Sequence, residues 1–455
     1  MNLLDSLFRS KAIDELFSDA ACLQGMLDFE AALARAEARV GVIPVAAAPP
    51  IASKCKAGLF DTGAIANAAA LSGNLAIPLV KQLTALVAHD NKDAARYVHW
   101  GATSQDAIDT GRVLQLRQAL ELLSADLDSV TSMLGQLADK YRTTPIAGRT
   151  WMQQALPTSF GLKLAGWLDA LDRHRVRLRE TQQRCLVLQF GGAVGTLASL
   201  HTKGLEVAQA LADELHLSLP ALSWHAHRDR VAEIATTLGL LGGTLGKIGG
   251  DISLLMQTEV AEVEEPAGKG RGGSSTMPHK RNPVTSAVLL AAAARVPALV
   301  STMLTSMVQQ HERGLGGWHA EWETLPEIVQ LVGGALHHLS ETLPGLEIHS
   351  QKMRENIEAT RGLIFAEAVA MALGGELGRQ AAYELVEAAC QRAHAEGQHL
   401  RDILSQDSTV TKYLSTAKVD QLFDPQQYLG VADRLITRAL DAHRTPQSKT
   451  PEESE

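Results

Sequence analysis

Residues 268–283 read GKGRGGSSTMPHKRNP. Four glycines fall in the first six positions, Ser274, Ser275 and Thr276 follow, and His279, Lys280, Arg281 and Asn282 arrive together. Hydroxyls that can exchange a proton and cations that can hold negative charge are thus carried on a strip whose glycines make it costly to order. A plain linker has no use for such chemistry, and loops carry function disproportionately. The strip is neither of the common nucleotide cradles. No GxxxxGK[ST] run occurs, and a dinucleotide-binding turn needs a preceding strand, whereas helical sequence flanks this one.

A second polar cluster, WHAHRDR (224–230), offers His225 and His227 as a pair. Zinc sites take three or four protein ligands, and neither a supporting ligand nor an HExxH run accompanies the pair, so no metal and no cofactor is expected. Cys22, Cys55, Cys185 and Cys390 are scattered without a CxxC and read as isolated thiols in a reducing compartment.

Long helices must position these groups. From Val113 the apolar residues run Leu116, Leu120, Leu123, Leu127, Val130, Leu134, Leu137 and Tyr141, alternating steps of three and four as an amphipathic helix requires. A second run, Val231, Ile234, Leu238, Leu241, Leu245, Ile248, Ile252 and Leu255, predicts a helix roughly 37 Å long. It contains Gly239, Gly242, Gly243, Gly246, Gly249 and Gly250, each costing up to about 1 kcal/mol against alanine. Glycines at that density imply close approach of neighbouring helices in a bundle. A third helix is expected over 284–311. No alternating strand pattern of useful length stands out, so the fold is expected to be all-α, with bundling between subunits as well as within one.

Composition narrows the function. The net charge of −9 argues against nucleic acid as a partner. Asp5, Arg9, Lys11 and Asp14 interrupt any secretory core at the start, and Arg295 and Pro297 break the most membrane-like stretch, so the expectation is a cytoplasmic protein with no membrane partner. The organisation expected is an N-terminal helical domain over 1–110, a central long-helix bundle over 111–350, a C-terminal helical domain over 351–443, and a disordered polar tail over 444–455.

GSSTMPHKRN (273–282) matches at every fixed position the signature G-S-x-x-M-x-x-K-x-N of the fumarase/aspartase superfamily, which the chain therefore resembles. HWGATSQD (99–106) and GRTWMQQA (148–155) resemble its other shared blocks, and GGAVGT (191–196) and QHERG (310–314) resemble its adenylosuccinate lyase branch. The resemblance spans most of the chain in order. It implies a three-domain helical fold and a homotetramer whose sites each draw blocks from three subunits. It also implies catalytic roles for Ser274, Lys280 and Asn282, with Ser274 exchanging a carbon-bound proton. Thr103, Ser104, Thr150 and Gln153 would bind substrate carboxylates, with His99 and Trp151 in the same pocket. Arg313 would serve as a carboxylate clamp, since a guanidinium grips a carboxylate with two parallel hydrogen bonds.

Trp151 departs from the superfamily pattern, which generally has histidine there to help protonate a leaving group. Amines and alkoxides need that proton. A carboxylate does not, because its conjugate acid has a pKa of about 4. The resemblance is accordingly closest to the cycloisomerase branch, which closes a lactone on a tricarboxylate and whose reverse reaction expels a carboxylate. Gly314, Gly316, Gly317 and Trp318 likewise stand where adenylosuccinate lyases continue with a polar run. Two alternatives remain at this level: a fumarate-releasing lyase acting on adenylosuccinate, and a non-enzymatic structural tetramer, since the superfamily includes lens crystallins.

Overall fold

The computed structural model describes residues 3–268 and 272–445, and the fold is all-α. The principal helices are α1 (Asp19–Val40), α2 (Ser104–Lys140), α3 (Phe160–Cys185), α4 (Gly204–Leu215), α5 (Asp229–Leu255), α6 (Val284–Ser306), α7 (Gly317–Thr342), α8 (Ala366–Leu377) and α9 (Arg379–Glu396). The chain divides into two compact units. One comprises 1–128, 174–246 and 288–338, and the other 129–173, 247–287 and 339–455. Lys269, Gly270 and Arg271, within the glycine-rich strip, and the end of the expected disordered tail, 446–455, lie outside the described residues. Arg444, at the start of that expected tail, is the last residue of a regular helix, Ala432–Arg444.

In the first unit, α1 carries its own punctuation. Ser18 accepts from the Ala21 N–H at its start, and Gly41 ends it at φ 77°, a conformation glycine adopts without strain. The periodic positions of α2 from Val113 to Leu134 and of α5 from Val231 to Leu255 are buried, as their spacing requires. The α5 glycines are explained individually. A Cβ at Gly246 would stand 2.3 Å from that of Ala293, and one at Gly239 would stand 2.9 Å from Val300 Cγ2, so α6 packs directly on the α5 backbone there. Gly243 meets nothing within 4 Å, and close packing in the single chain does not account for it.

α6 differs from its expectation. It runs unbroken through Pro297 and ends at Ser306, before 311. It is long and apolar enough to cross a membrane by length and composition, and only 28% of its most apolar stretch is buried. Leu290 and Leu304 lie exposed on it.

The second unit contains the strands that the sequence pattern did not reveal. Strand β1 (Pro145–Thr150) pairs antiparallel with β2 (Gln153–Ser159), and β3 (Val263–Glu264) with β4 (Glu347–Ile348). Alanine, glycine, glutamine and two prolines make PIAGRT and QQALPTS poor strand formers on their own. Their extended form comes from pairing with each other, interrupted by a register shift between Ala147 and Arg149. Phe365, Val369 and Leu373 of this unit pack in a separate apolar core with Val386, Leu400 and Leu404.

Gly246→Val would force its side chain into α6. It should lower stability by about 1–3 kcal/mol, measurable as an earlier denaturant midpoint.

Candidate active site

Each unit assembles a set of the residues singled out above. In the first, the segment 99–106 enters α2, whose first turn is capped from within: Asp106 Oδ2 accepts from the Thr103 N–H at 3.0 Å. The same buried carboxylate accepts from the backbone N–H groups of Gly191 at 3.0 Å and Gly192 at 2.9 Å, and from His225 Nε2 at 2.7 Å. One side chain therefore ties together the polar run before α2, the GGAVGT loop and the WHAHRDR segment. Glycine is required in the loop, because a Cβ at Gly191 would stand 2.7 Å from Ser223 Cβ and 3.0 Å from His225 Cε1.

Gln105 carries the assembly outward. Its Nε2 donates to Asp109 Oδ2 at 3.0 Å and to the His225 carbonyl at 2.9 Å, while its Oε1 accepts from Arg313 Nε at 3.0 Å. Arg313 Nη2 also donates to Thr103 Oγ1 at 3.2 Å and to the Ala193 carbonyl at 3.0 Å. The guanidinium is thus oriented by neutral acceptors and its charge is not cancelled by a carboxylate. Its Nη1 has no hydrogen bond among the described residues and is free for an anion. Beneath this lies a buried network in which Arg228 bridges Asp109 and Glu321, with Trp318 Nε1 donating to Asp109 Oδ1 at 3.0 Å. Burial pushes Glu321 above the usual carboxylate range, against the pull of Arg228.

In the second unit, three neighbouring glutamates set the geometry. Glu262, fully buried, accepts two 2.8 Å bonds from Arg149 of β1 and one of 2.9 Å from Asn356. Glu265 accepts from the N–H groups of Thr285 at 2.9 Å and Ser286 at 2.8 Å, capping the first turn of α6. Glu264 pairs with Arg281, which also donates to Glu347 at 2.7 Å and to the Glu265 carbonyl at 2.6 Å. The hairpin and the polar strip are therefore fastened to the same short acidic stretch. Glu264, Glu347 and His349 could offer ligand atoms to a cation by spacing alone, but Arg281 already supplies both carboxylates with positive charge.

The strip itself turns on Ser274, whose Oγ accepts from the N–H groups of Thr276 at 3.3 Å and Met277 at 3.0 Å. Two N–H groups aimed at a hydroxyl oxygen stabilise it when it carries negative charge. That is what a residue giving up and regaining a proton needs. Asn282 closes the strip, its N–H donating to the Gly272 carbonyl at 2.8 Å and its side chain to the Gly273 carbonyl at 3.2 Å. The Lys280 side chain is exposed and has no partner among the described residues. Thr150 and Gln153 flank the tip of the β1–β2 hairpin, where Trp151 and Met152 form a two-residue loop at φ 51° and 63°. Such loops usually take Asn-Gly because bulky side chains are strained at positive φ. Trp151 is nonetheless 98% exposed, projecting an indole from a stiff turn.

A family model for lyases matches residues 9–298, more than half the chain, and one for the adenylosuccinate lyase C-terminus matches residues 362–439. The chain belongs to the fumarase/aspartase family. It is 56% identical to the 3-carboxy-cis,cis-muconate cycloisomerase of Pseudomonas aeruginosa over 97% of this chain and 96% of that protein. It is 53% identical to the enzyme of the same name from Bradyrhizobium diazoefficiens over 97% of this chain and 98% of that protein. The crystal structure of the 3-carboxy-cis,cis-muconate lactonizing enzyme from Pseudomonas putida superposes with a TM-score of 0.93 at 54% identity, covering 97% of this chain and 98% of that one.

Of the family-type residues expected from the sequence, His99, Thr103, Ser104 and Arg313 belong to the first unit, and Thr150, Trp151, Gln153, Ser274, Lys280 and Asn282 to the second. Thr103 and Arg313 are in direct contact. His225 is buried against Asp106 and His227 is exposed, so the two do not form a chelating pair. Sequence reading passed over Gln105, Asp106, Glu262 and Glu265, which hold the others in place. The one signal was proximity in the chain, since Gln105 and Asp106 close the quoted block HWGATSQD.

Asp106→Asn would turn an N–H donor towards at least one of the donors now received. It should cost about 3–5 kcal/mol, read as loss of stability in urea, and should also displace Thr103 and His225.

Proposed function

We propose that the protein is a 3-carboxy-cis,cis-muconate cycloisomerase. It would close its substrate to the γ-lactone 4-carboxymuconolactone in the cytoplasmic degradation of protocatechuate through β-ketoadipate. Full-length relatives of that name, at more than half identity, support the reading. The observation that carries it is chemical: a side chain without a titratable proton, Trp151, sits at the tip of a hairpin where the family's lyases use histidine.

In the forward direction a carboxylate oxygen forms a bond to an alkene carbon, and the displaced π pair moves onto the conjugated carboxylate as an aci-carboxylate. Lys280 and Asn282 hold that developing charge, the kind of stabilisation that dominates such sites. The intermediate then takes a proton at carbon from Ser274 Oγ, and the resulting alkoxide is held by the Thr276 and Met277 N–H groups until solvent reprotonates it. Thr103, Ser104, Thr150, Gln153, His99 and Arg313 receive the carboxylates of the trianion. No step needs an acid at position 151, because a carboxylate leaves unaided in reverse. Closure of the glycine-rich strip over the bound polyanion excludes water.

The working assembly is a homotetramer with sites shared between subunits. The bare apolar face of α6, Gly243 open on α5 and the indole projecting from the hairpin all support surfaces that meet other copies. Burial of Trp151 would then come from a neighbouring subunit.

Mixing the protein with 3-carboxy-cis,cis-muconate should abolish the conjugated-diene absorbance, with no fumarate released from adenylosuccinate. Ser274→Ala should fold normally and lose about 10²–10⁴-fold in kcat. Fumarate release at a comparable rate would favour the lyase reading instead. Reassembling Ser274→Ala subunits with a Thr103→Val/Ser104→Ala variant should restore part of the activity, and proven subunit exchange without recovery would mean single-chain sites.

A further inference from the structure

His99 stands at a left-handed backbone position, φ 58°, and its ring makes one hydrogen bond: Nδ1 lies 2.5 Å from Oε1 of Glu30. Glu30 comes from the middle of α1 and is 1% exposed, and its second oxygen is buried with no hydrogen-bond partner. A carboxylate withdrawn from water with half its acceptors unused costs stability, and an apolar residue in that position would avoid the cost. A purely structural reason for Glu30 is therefore poor. What it gains is His99, whose Nε2 has no hydrogen bond among the described residues and is not sealed from solvent.

The surrounding charges favour a cationic ring. Burial opposes protonation of His99, but the Glu30 carboxylate outweighs it, helped by Asp106, and the His99 pKa is raised above the ordinary histidine value. Behind Glu30 lie Glu37 and Cys55. Burial, with the Glu30 charge added, pushes Glu37 up to about 9, so it keeps its proton at neutral pH. Burial likewise pushes the Cys55 thiol up, with Glu30 and Asp28 adding to it and Arg35 opposing. Among the described residues, Glu30 is the carboxylate hydrogen-bonded to the His99 ring.

We propose that Glu30 is a positioning residue of the active site, gripping His99 by Nδ1 and presenting its Nε2–H to a substrate carboxylate. His99 then acts as a fixed cationic ligand and not as a general base. This rests on His99 being one of the carboxylate ligands in the function proposed above.

Glu30→Gln keeps the shape and removes the charge. Just above pH about 6.5, where the raised wild-type ring keeps its proton and an ordinary histidine loses it, its KM for 3-carboxy-cis,cis-muconate should rise about tenfold or more, the scale of a lost charged hydrogen bond, with kcat nearly unchanged. The sign follows from the direction of the shift. Without Glu30 the ring loses its proton at lower pH, so the defect should grow as pH rises through about 6.5, the ordinary histidine value, and fade below it. His99→Gln should raise KM at all pH values, and the double variant should be no worse than His99→Gln alone. Glu37→Gln, a neutral replacement in the same buried patch, should keep the wild-type KM profile. Additive single and double effects, or a Glu30→Gln profile matching wild type, would overturn the proposal. Should Glu30→Gln not fold, the wild-type protein decides: with ¹⁵N-labelled histidine, His99 must titrate above about 6.5 with Nδ1 protonated, and titration at or below that value overturns it. If His99→Gln leaves KM unchanged, His99 is not a ligand and this inference falls, while wild-type turnover of the muconate keeps the cycloisomerase reading.

Discussion

A carboxylate that leaves water must regain its hydrogen bonds inside the protein or keep its proton. Asp106 regains them in full, from Thr103, Gly191, Gly192 and His225, and the polar architecture of the first unit follows from that requirement. The start of α2 is fixed because Asp106 reaches back to it, and the glycine loop because its N–H groups have nowhere better to point. Gln105, its neighbour, is then placed to orient Arg313. The second unit repeats the logic with Glu262, Glu264 and Glu265, each holding a different part of the polar surface. In each unit the internal anions have their charge already spent on particular donors, while one edge of Arg313 in the first unit and Lys280 in the second are left uncommitted among the described residues.

This arrangement explains what was legible in the sequence. Periodicity gave α2 and α5 because burial of one helical face is a local, repeating constraint. Ser274, Lys280 and Asn282 stood out because hydroxyls, cations and amides crowd into one short stretch, and Arg313 through the family resemblance of QHERG. The supporting residues did not. Glu262 is one glutamate among many until Arg149 is seen against it, and Glu30 is 69 residues from His99 in the chain. The β1–β2 hairpin was equally hidden, since its strands are made by pairing and not by propensity. The apolar composition of α6 calls for burial, yet the single chain leaves most of its apolar stretch uncovered, because composition records that a face must be buried and not by what.

The α5 glycines divide along the same line. Gly239 and Gly246 answer to Val300 and Ala293 within the chain, while Gly243 answers to nothing in it. Intrachain packing and surfaces left for other contacts are thus interleaved along one helix, and a single substitution series there would report on both.

The hairpin tip has a further consequence. Trp151 and Met152 owe their positive φ to the two-residue loop and not to the identity of their side chains. An indole and an imidazole at 151 meet much the same backbone strain. Exchanging a proton-carrying ring for an inert one therefore leaves the loop unchanged and alters only what the tip presents. In evolutionary terms the position is a cheap point of divergence, where a lineage can drop or recover an acid without rebuilding its scaffold.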